Sequence, residues 1–260
     1  MKLEGMENHQ VRCLRHGIVN KISFKGVSKR YDGTVALNPT DLVLKAGELL
    51  SLVGETGSGK TTLAMIAAGV IQQDNGSRTF EDRDMEEWLK KDARSLSGRI
   101  GVVYQNPAES ISHRFTVYDA VAEPLKIHGV GKDKDEQGKM VKSVLAELHL
   151  STDDAFLRRY PHELNMGALQ RICIARALVL SPSLLIADEP TSALDPSVQA
   201  KVLKLLLDLQ TDRGLTMLFV SHDMALARKI SDRMGIMLSG DLVELGQAAL
   251  ILSRPAHPYT

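Results

Sequence analysis

The sequence predicts an α/β fold, a mostly parallel β-sheet with helices on its faces and a purely helical stretch set into it. Three observations carry this. Short apolar runs of strand length recur at GELLSLVG (47–54), RIGVVYQNP (99–107), SLLIADEP (183–190) and GLTMLFVSHD (214–223). Segments of helical spacing alternate with them. From about residue 107 to 165 the strand pattern stops and only helical spacing remains.

In order, residues 1–20 read as a loose tail. KISFKGVSKRY (21–31) alternates as an edge or one-sided strand would. After the 47–54 strand, KTTLAMIAAGVI (60–71) reads as a helix, and DNGSRTF (74–80) as a turn and short strand. Pro107 stops the next strand. DAVAEPLKIHGV and KMVKSVLAELHL are helices, and GKDKDEQGK between them is a solvated loop. Then come a helix at 169–180, the strand at 183–190, an amphipathic helix at 198–213, the strand at 214–223, the helix MALARKI, and a closing hairpin in RMGIMLSGDLVELG.

Bulk properties exclude several classes. The 260 residues carry 32 basic and 32 acidic side chains, so no electrostatic footprint for nucleic acid is present. No apolar run approaches the roughly 20 residues of a membrane helix, and the start is no signal peptide. Cys13 and Cys173 are too few and too far apart for a disulfide framework or a metal-ligand spacing.

GETGSGKTT (54–62) follows a strand and opens a helix, the context a phosphate loop requires. Gly54, Gly57 and Gly59 let backbone N–H groups converge on phosphate, and Glu55, Thr56, Ser58 and Thr62 complete the loop. Lys60 adds a point charge and the Thr61 hydroxyl ligates Mg²⁺. SLLIADEP ends a buried strand in Asp188, placed to hold Mg²⁺, and Glu189, placed as general base. His222 ends another strand and is suited to the γ-phosphate. A lone histidine is more often structural, but ligands of parallel sheets gather at this end. Gln105 ends the strand at the border of the helical stretch, where it can touch Mg²⁺ or water. Tyr31 suits stacking on adenine, and equally an ordinary surface or core position.

Together these elements resemble the ATP-binding cassette (ABC) ATPases: Tyr31, GETGSGKTT, Gln105, LNMGALQR (164–171), SLLIADEP, SALD (192–195) and SHD, in order over about residues 20–250. The resemblance implies a RecA-like P-loop NTPase core, with an N-terminal antiparallel β subdomain and an inserted α-helical subdomain. Residues 21–260 would be one domain, with 21–106 and 169–260 as core and 107–168 as helical subdomain. It implies ATP and Mg²⁺ as cofactors and a head-to-tail pair of ATPases. QNPAES, RYPHEL and the terminal RPAHPYT resemble, more narrowly, the peptide and nickel importer branch. That branch works with two transmembrane permease subunits and, indirectly, a solute-binding protein, from the cytoplasmic face of the membrane. Members usually continue past HPYT. The alternative reading is a non-transport ABC ATPase or a scaffold subunit of a soluble complex.

At the signature position the family has Leu-Ser-Gly-Gly, and this chain has Leu164, Asn165, Met166, Gly167. The resemblance places Asn165 and Gly167 against the γ-phosphate on the partner ATPase. Gly167 keeps the second glycine, Asn165 still donates, and Met166 adds bulk. This predicts a heterodimer with unequal sites. The competing expectation is that Asn and Met are tolerated and both sites turn over.

Overall fold

The computed structural model describes residues 20–192 and 194–260, so the expected tail, apart from Asn20, and Ala193 of the SALD stretch lie outside them. Two sheets organise the chain. β1 (Asn20–Tyr31), β2 (Thr34–Lys45), β4 (Asn75–Phe80) and β5 (Arg83–Asp84) form an antiparallel sheet in the order β2-β1-β4-β5. The second sheet holds β3 (Leu49–Gly54), β6 (Ile100–Val103), β7 (Leu184–Asp188), β8 (Thr216–Ser221), β9 (Arg233–Leu238) and β10 (Asp241–Gln247). Its order is β10-β9-β3-β8-β7-β6, parallel throughout except for β10 against β9.

The second sheet is covered on both faces because its strands alternate two apolar sets. Leu50, Leu52, Leu184, Ile186, Leu218 and Val220 join one cluster, with the helix α1 (Lys60–Ala67) and the inner face of the antiparallel sheet. Leu49, Leu185, Ala187, Met217 and Phe219 join the other. That cluster also holds α5 (Val117–His128), α6 (Lys134–Glu147), α8 (Met166–Leu178) and α9 (Pro196–Arg213). The short helices are α2 (Met85–Lys91), α3 (Ala93–Arg99), α4 (Pro107–Ser110), α7 (Asp154–Leu157), α10 (Met224–Ile230) and α11 (Ala248–Ser253). From Pro107 to Glu163 every regular element is helical.

Four expectations need correction. KISFKGVSKRY buries one face, through Ile22, Phe24 and Val27, as the one-sided reading expects, and only the edge alternative fails, because β1 is an inner strand. β2, unassigned from sequence, takes the edge, the place where a strand tolerates its Pro39. The two join through Asp32 and Gly33, both at positive φ, a turn that matches strand twist. α1 ends at Ala67 rather than residue 71, because Gly69 is left-handed, and Arg78 donates to the carbonyls of Ile66 in the last turn (2.5 Å) and of Ile71 beyond it (2.8 Å). The solvated loop is shorter than expected, because Asp133 caps α6 by accepting from the Glu136 amide at 2.8 Å. Helices α2 and α3 were not anticipated. Trp88 of α2 donates to the Phe80 carbonyl of β4 at 3.1 Å, and the guanidinium groups of Arg83 and Arg99 lie over its ring.

Candidate functional site

β3 is buried along almost its whole length and delivers the chain to Gly54, where a side chain has no room. A Cβ there would lie 2.1 Å from the Met237 carbonyl oxygen. Gly59 caps α1 at φ +99°, and its Cβ would meet the Ala36 oxygen at 2.4 Å. Gly57, at φ +82°, faces open space. The loop therefore wraps a cavity of about 1000 Å³.

Of the residues singled out from sequence, Tyr31, Thr56, Gly57, Gly59, Lys60, Thr61, Thr62, Gln105, Glu189 and His222 line this cavity. Gly54, Glu55 and Ser58 build the loop behind it. Asn165 and Gly167 do not line it, and they start α8 instead. Ser192, the first residue of the SALD stretch, also lines the cavity, as do Ala36, Asn106 and Glu109, which were not singled out as site residues. Asn106 and Glu109 directly follow Gln105 and are bonded to each other at 2.6 Å. Their signal was closeness to Gln105. Ala36 carries no chemical signal at all.

Lys60 is buried and donates to the carbonyls of Gly54 (2.8 Å) and Glu55 (2.7 Å). Burial lowers its pKa, and the nearby carboxylates of Glu189 and Asp188 pull it back up. Asp188 is buried, and its Oδ1 has no hydrogen-bond partner among the described residues. Burial raises its pKa, while the adjacent Thr61 hydroxyl favours the ionised form. An orphaned buried carboxylate oxygen beside a threonine hydroxyl at a phosphate loop fits a hard, oxygen-seeking divalent cation.

Glu189 follows directly, at a left-handed φ of 44°. Its Oε2 accepts from Gln105 Nε2 at 3.0 Å and lies 3.2 Å from His222 Nδ1. Ser192 donates to the Glu189 carbonyl at 3.1 Å. Three separate strand ends, β6, β7 and β8, thus bring an amide, a carboxylate and an imidazole to one oxygen. Tyr31 stands partly exposed at the cavity, with Lys29 Nζ 5.4 Å from its ring centroid.

At the start of α8, Asn165 Oδ1 accepts from the Ala168 amide at 2.9 Å. Met166 is 39% exposed. Gly167 is packed so closely that a Cβ would fall 2.6 Å from Val198 Cγ1.

A parallel core, a phosphate loop at the end of β3 and an adjacent carboxylate pair at the end of β7 define a nucleotide-hydrolysing cassette. The sequence pattern of the ABC transporter family matches residues 37–192, and the chain belongs to that family as an ATP-binding, ATP-hydrolysing subunit. Among its relatives, the oligopeptide transport ATP-binding protein AmiF of Streptococcus pneumoniae is 41% identical over 92% of this chain and 77% of its own. The glutathione import ATP-binding protein GsiA of Escherichia coli is 38% identical over 95% of this chain and 38% of its own. A subunit of the cbiONQ transporter complex from Clostridium perfringens superposes with a TM-score of 0.80 at 26% identity, covering 91% of this chain and 92% of that one. A dimeric cassette bound to ADP and Pi gives 0.76 at 27% identity, over 87% and 98%. The fold class is that of these cassettes. Among the described residues, no helix is long and apolar enough to cross a membrane.

Proposed function

We propose that the chain energises an importer of short peptides, with ATP hydrolysis carried by the Lys60, Asp188, Glu189 and His222 constellation. The observation that supports it most is the shared oxygen of Glu189, held between Gln105 and His222 at the wall of the phosphate cavity. Lys60 exchanges its two loop carbonyls for phosphate oxygens, which cost less to lose than a buried ammonium left unpaired. Thr61 and Asp188 hold Mg²⁺, with Gln105 reaching the same ion or its water. When bound there, the ion would supply positive charge to the transferred phosphoryl group. Glu189 orients the attacking water and takes its proton, and His222 contacts the γ-phosphate. Tyr31 stacks on the adenine.

Peptides as cargo are suggested by the relatives named for oligopeptides and glutathione. Nickel and metal–metallophore complexes rest on the sequence resemblance alone. The partners are a second ABC ATPase, two permease subunits and, indirectly, a solute-binding protein, at the cytoplasmic face of the membrane. The helical residues 107–168 act as the arm that moves with Gln105. A second cavity of about 340 Å³ runs between α3, β6, α5 and α8, with the exposed Tyr104 and Ile127 at its rim. It suits an apolar permease segment, and it lies at the border of the helical arm rather than within it.

The two ATP sites of the assembled pair are unequal. Asn165 Oδ1 accepts from the Ala168 amide, which fixes the side chain and leaves Nδ2, its only donor, to meet phosphate with a reach different from that of a serine hydroxyl, and the exposed Met166 stands beside it. The test is ATP hydrolysis by this chain alone and mixed with its partner ATPase, with Glu189→Gln as control. Activity confined to the mixture supports unequal sites. Equal activity of the chain alone means LNMGA works as a signature.

A further inference from the structure

Beyond the nucleotide cavity, the segment Ala256–Thr260 folds back against the core. Glu244 on β10 holds it there. One carboxylate oxygen accepts from the Ala256 amide at 3.0 Å. The other accepts from the Thr260 hydroxyl at 2.6 Å and the His257 amide at 3.4 Å. The Thr260 hydroxyl and the Ala256 amide together keep the Glu244 carboxyl below the usual carboxylate range. The Tyr259 amide donates to His257 Nδ1 at 3.2 Å and closes the turn.

The turn delivers the Tyr259 ring to a third apolar cluster. Two members of that cluster matter most. Val53 is the last strand residue before Gly54, and Met224 opens α10 two positions after His222. A cavity of about 310 Å³ lies between Tyr259 and the loop residues Glu55 and Thr56, with His222 on its wall. Thr56 and His222 also line the nucleotide cavity. Tyr259 thus shares a cavity wall with two residues that also border the nucleotide cavity. His222, with its side chain 58% exposed, has only the Glu189 carboxylate as a polar side-chain partner among the described residues.

We propose that Tyr259 is a positioning residue for ATP hydrolysis, held by Glu244, whose ring fixes the phosphate-loop entry and the His222 loop relative to each other. It touches no nucleotide. Its effect passes through Val53 into the loop and through Met224 into His222. A displacement of about 1 Å at a reacting group costs on the order of 100-fold in rate, so a packing contact at this distance reaches the chemistry. The proposal rests on the roles given above to the phosphate loop and His222.

The experiment is steady-state Mg-ATP hydrolysis by the assembled complex containing the full chain, comparing Tyr259→Ala, Tyr259→Phe, Glu244→Ala and Glu189→Gln. Tyr259→Ala and Glu244→Ala should each lower kcat by about 5-fold or more while the KM for ATP stays within about twofold, the mark of an interaction realised in the transition state. Tyr259→Phe keeps the ring and should keep kcat. Thermal midpoints are recorded for all four. Glu244→Ala, which keeps the aromatic side chain but releases the turn that holds it, serves if Tyr259→Ala fails to fold. Unchanged kcat in the alanine variants, or a Phe variant as slow as Ala, would overturn the proposal. So would a loss of kcat that merely follows a fall in thermal midpoint. An inactive Glu189→Gln beside a normal Tyr259→Ala sinks the proposal and leaves the site intact. A fully active Glu189→Gln sinks the site reading and the proposal with it.

Discussion

The nucleotide cavity and the start of α8 make opposite use of polar side chains. At the phosphate loop, Asp188, buried and not itself a lining residue of the cavity, keeps an orphan oxygen, and Lys60 is held by two loop carbonyls and, at 3.4 Å, Ser58 Oγ. At the start of α8, Asn165 is spent on its own helix and Gly167 is pressed against Val198. The first region is built to receive a ligand and tolerates internal cost for it. The second has its acceptor oxygen engaged in its own helix and offers the Asn165 Nδ2 amide beside an exposed Met166. On the proposed reading, the cassette is complete as a receiver of ATP and poor as a donor to its neighbour.

Four changes sharpen or break that contrast. The largest effect belongs to Glu189→Gln, which removes the base while keeping the shape. Turnover at this chain's own site should fall by about 100-fold or more, measured as phosphate release. Next is the double change Asn165→Ser with Met166→Gly. One recovered charge-assisted hydrogen bond is worth roughly 1.5–3 kcal/mol, so turnover at the partner's ATP should rise by about 10-fold or more. No rise would erase the contrast. Third, Gly167→Ala places a methyl group into Val198 and should cost about 1–3 kcal/mol in denaturant unfolding.

The smallest effect is a gain. Burial raises the folded-state pKa of Asp188, so protonation favours the fold. That stability is complete below the unfolded pKa of about 4 and is lost as pH rises through the raised folded value. At neutral pH the ionised group is a burden. Asp188→Asn should therefore stabilise the nucleotide-free chain by on the order of 1 kcal/mol while impairing Mg²⁺-dependent hydrolysis. The gain should vanish below about pH 4. A destabilised variant at pH 7 would mean the carboxylate is better solvated than its burial indicates.

What was legible in the sequence was what is local in the chain. The phosphate loop, strand β7 with its acidic end, and helix α10 each declare themselves within a dozen residues. Residues meeting across the fold were less visible. Ala36 reaches the cavity only because β2 pairs with β1, and β2 itself hides behind Pro39 and broken alternation. The left-handed φ of Glu189 has no sequence signal, because it arises from the junction of β7 with the following turn. Helix limits moved wherever a cap decided them, as at Asp133 and Asn165.

The chain has a single tryptophan, and its setting has an optical consequence. Trp88 shares a cluster with Leu63, Ala64 and Ile66 of α1, the helix that begins at Lys60. Its indole is buried and flanked by Arg83 and Arg99. Its emission is therefore an unlabelled reporter of how the antiparallel sheet seats on the phosphate-loop helix. A spectral shift on adding ATP would track that seating in real time, with no other indole to confuse the signal.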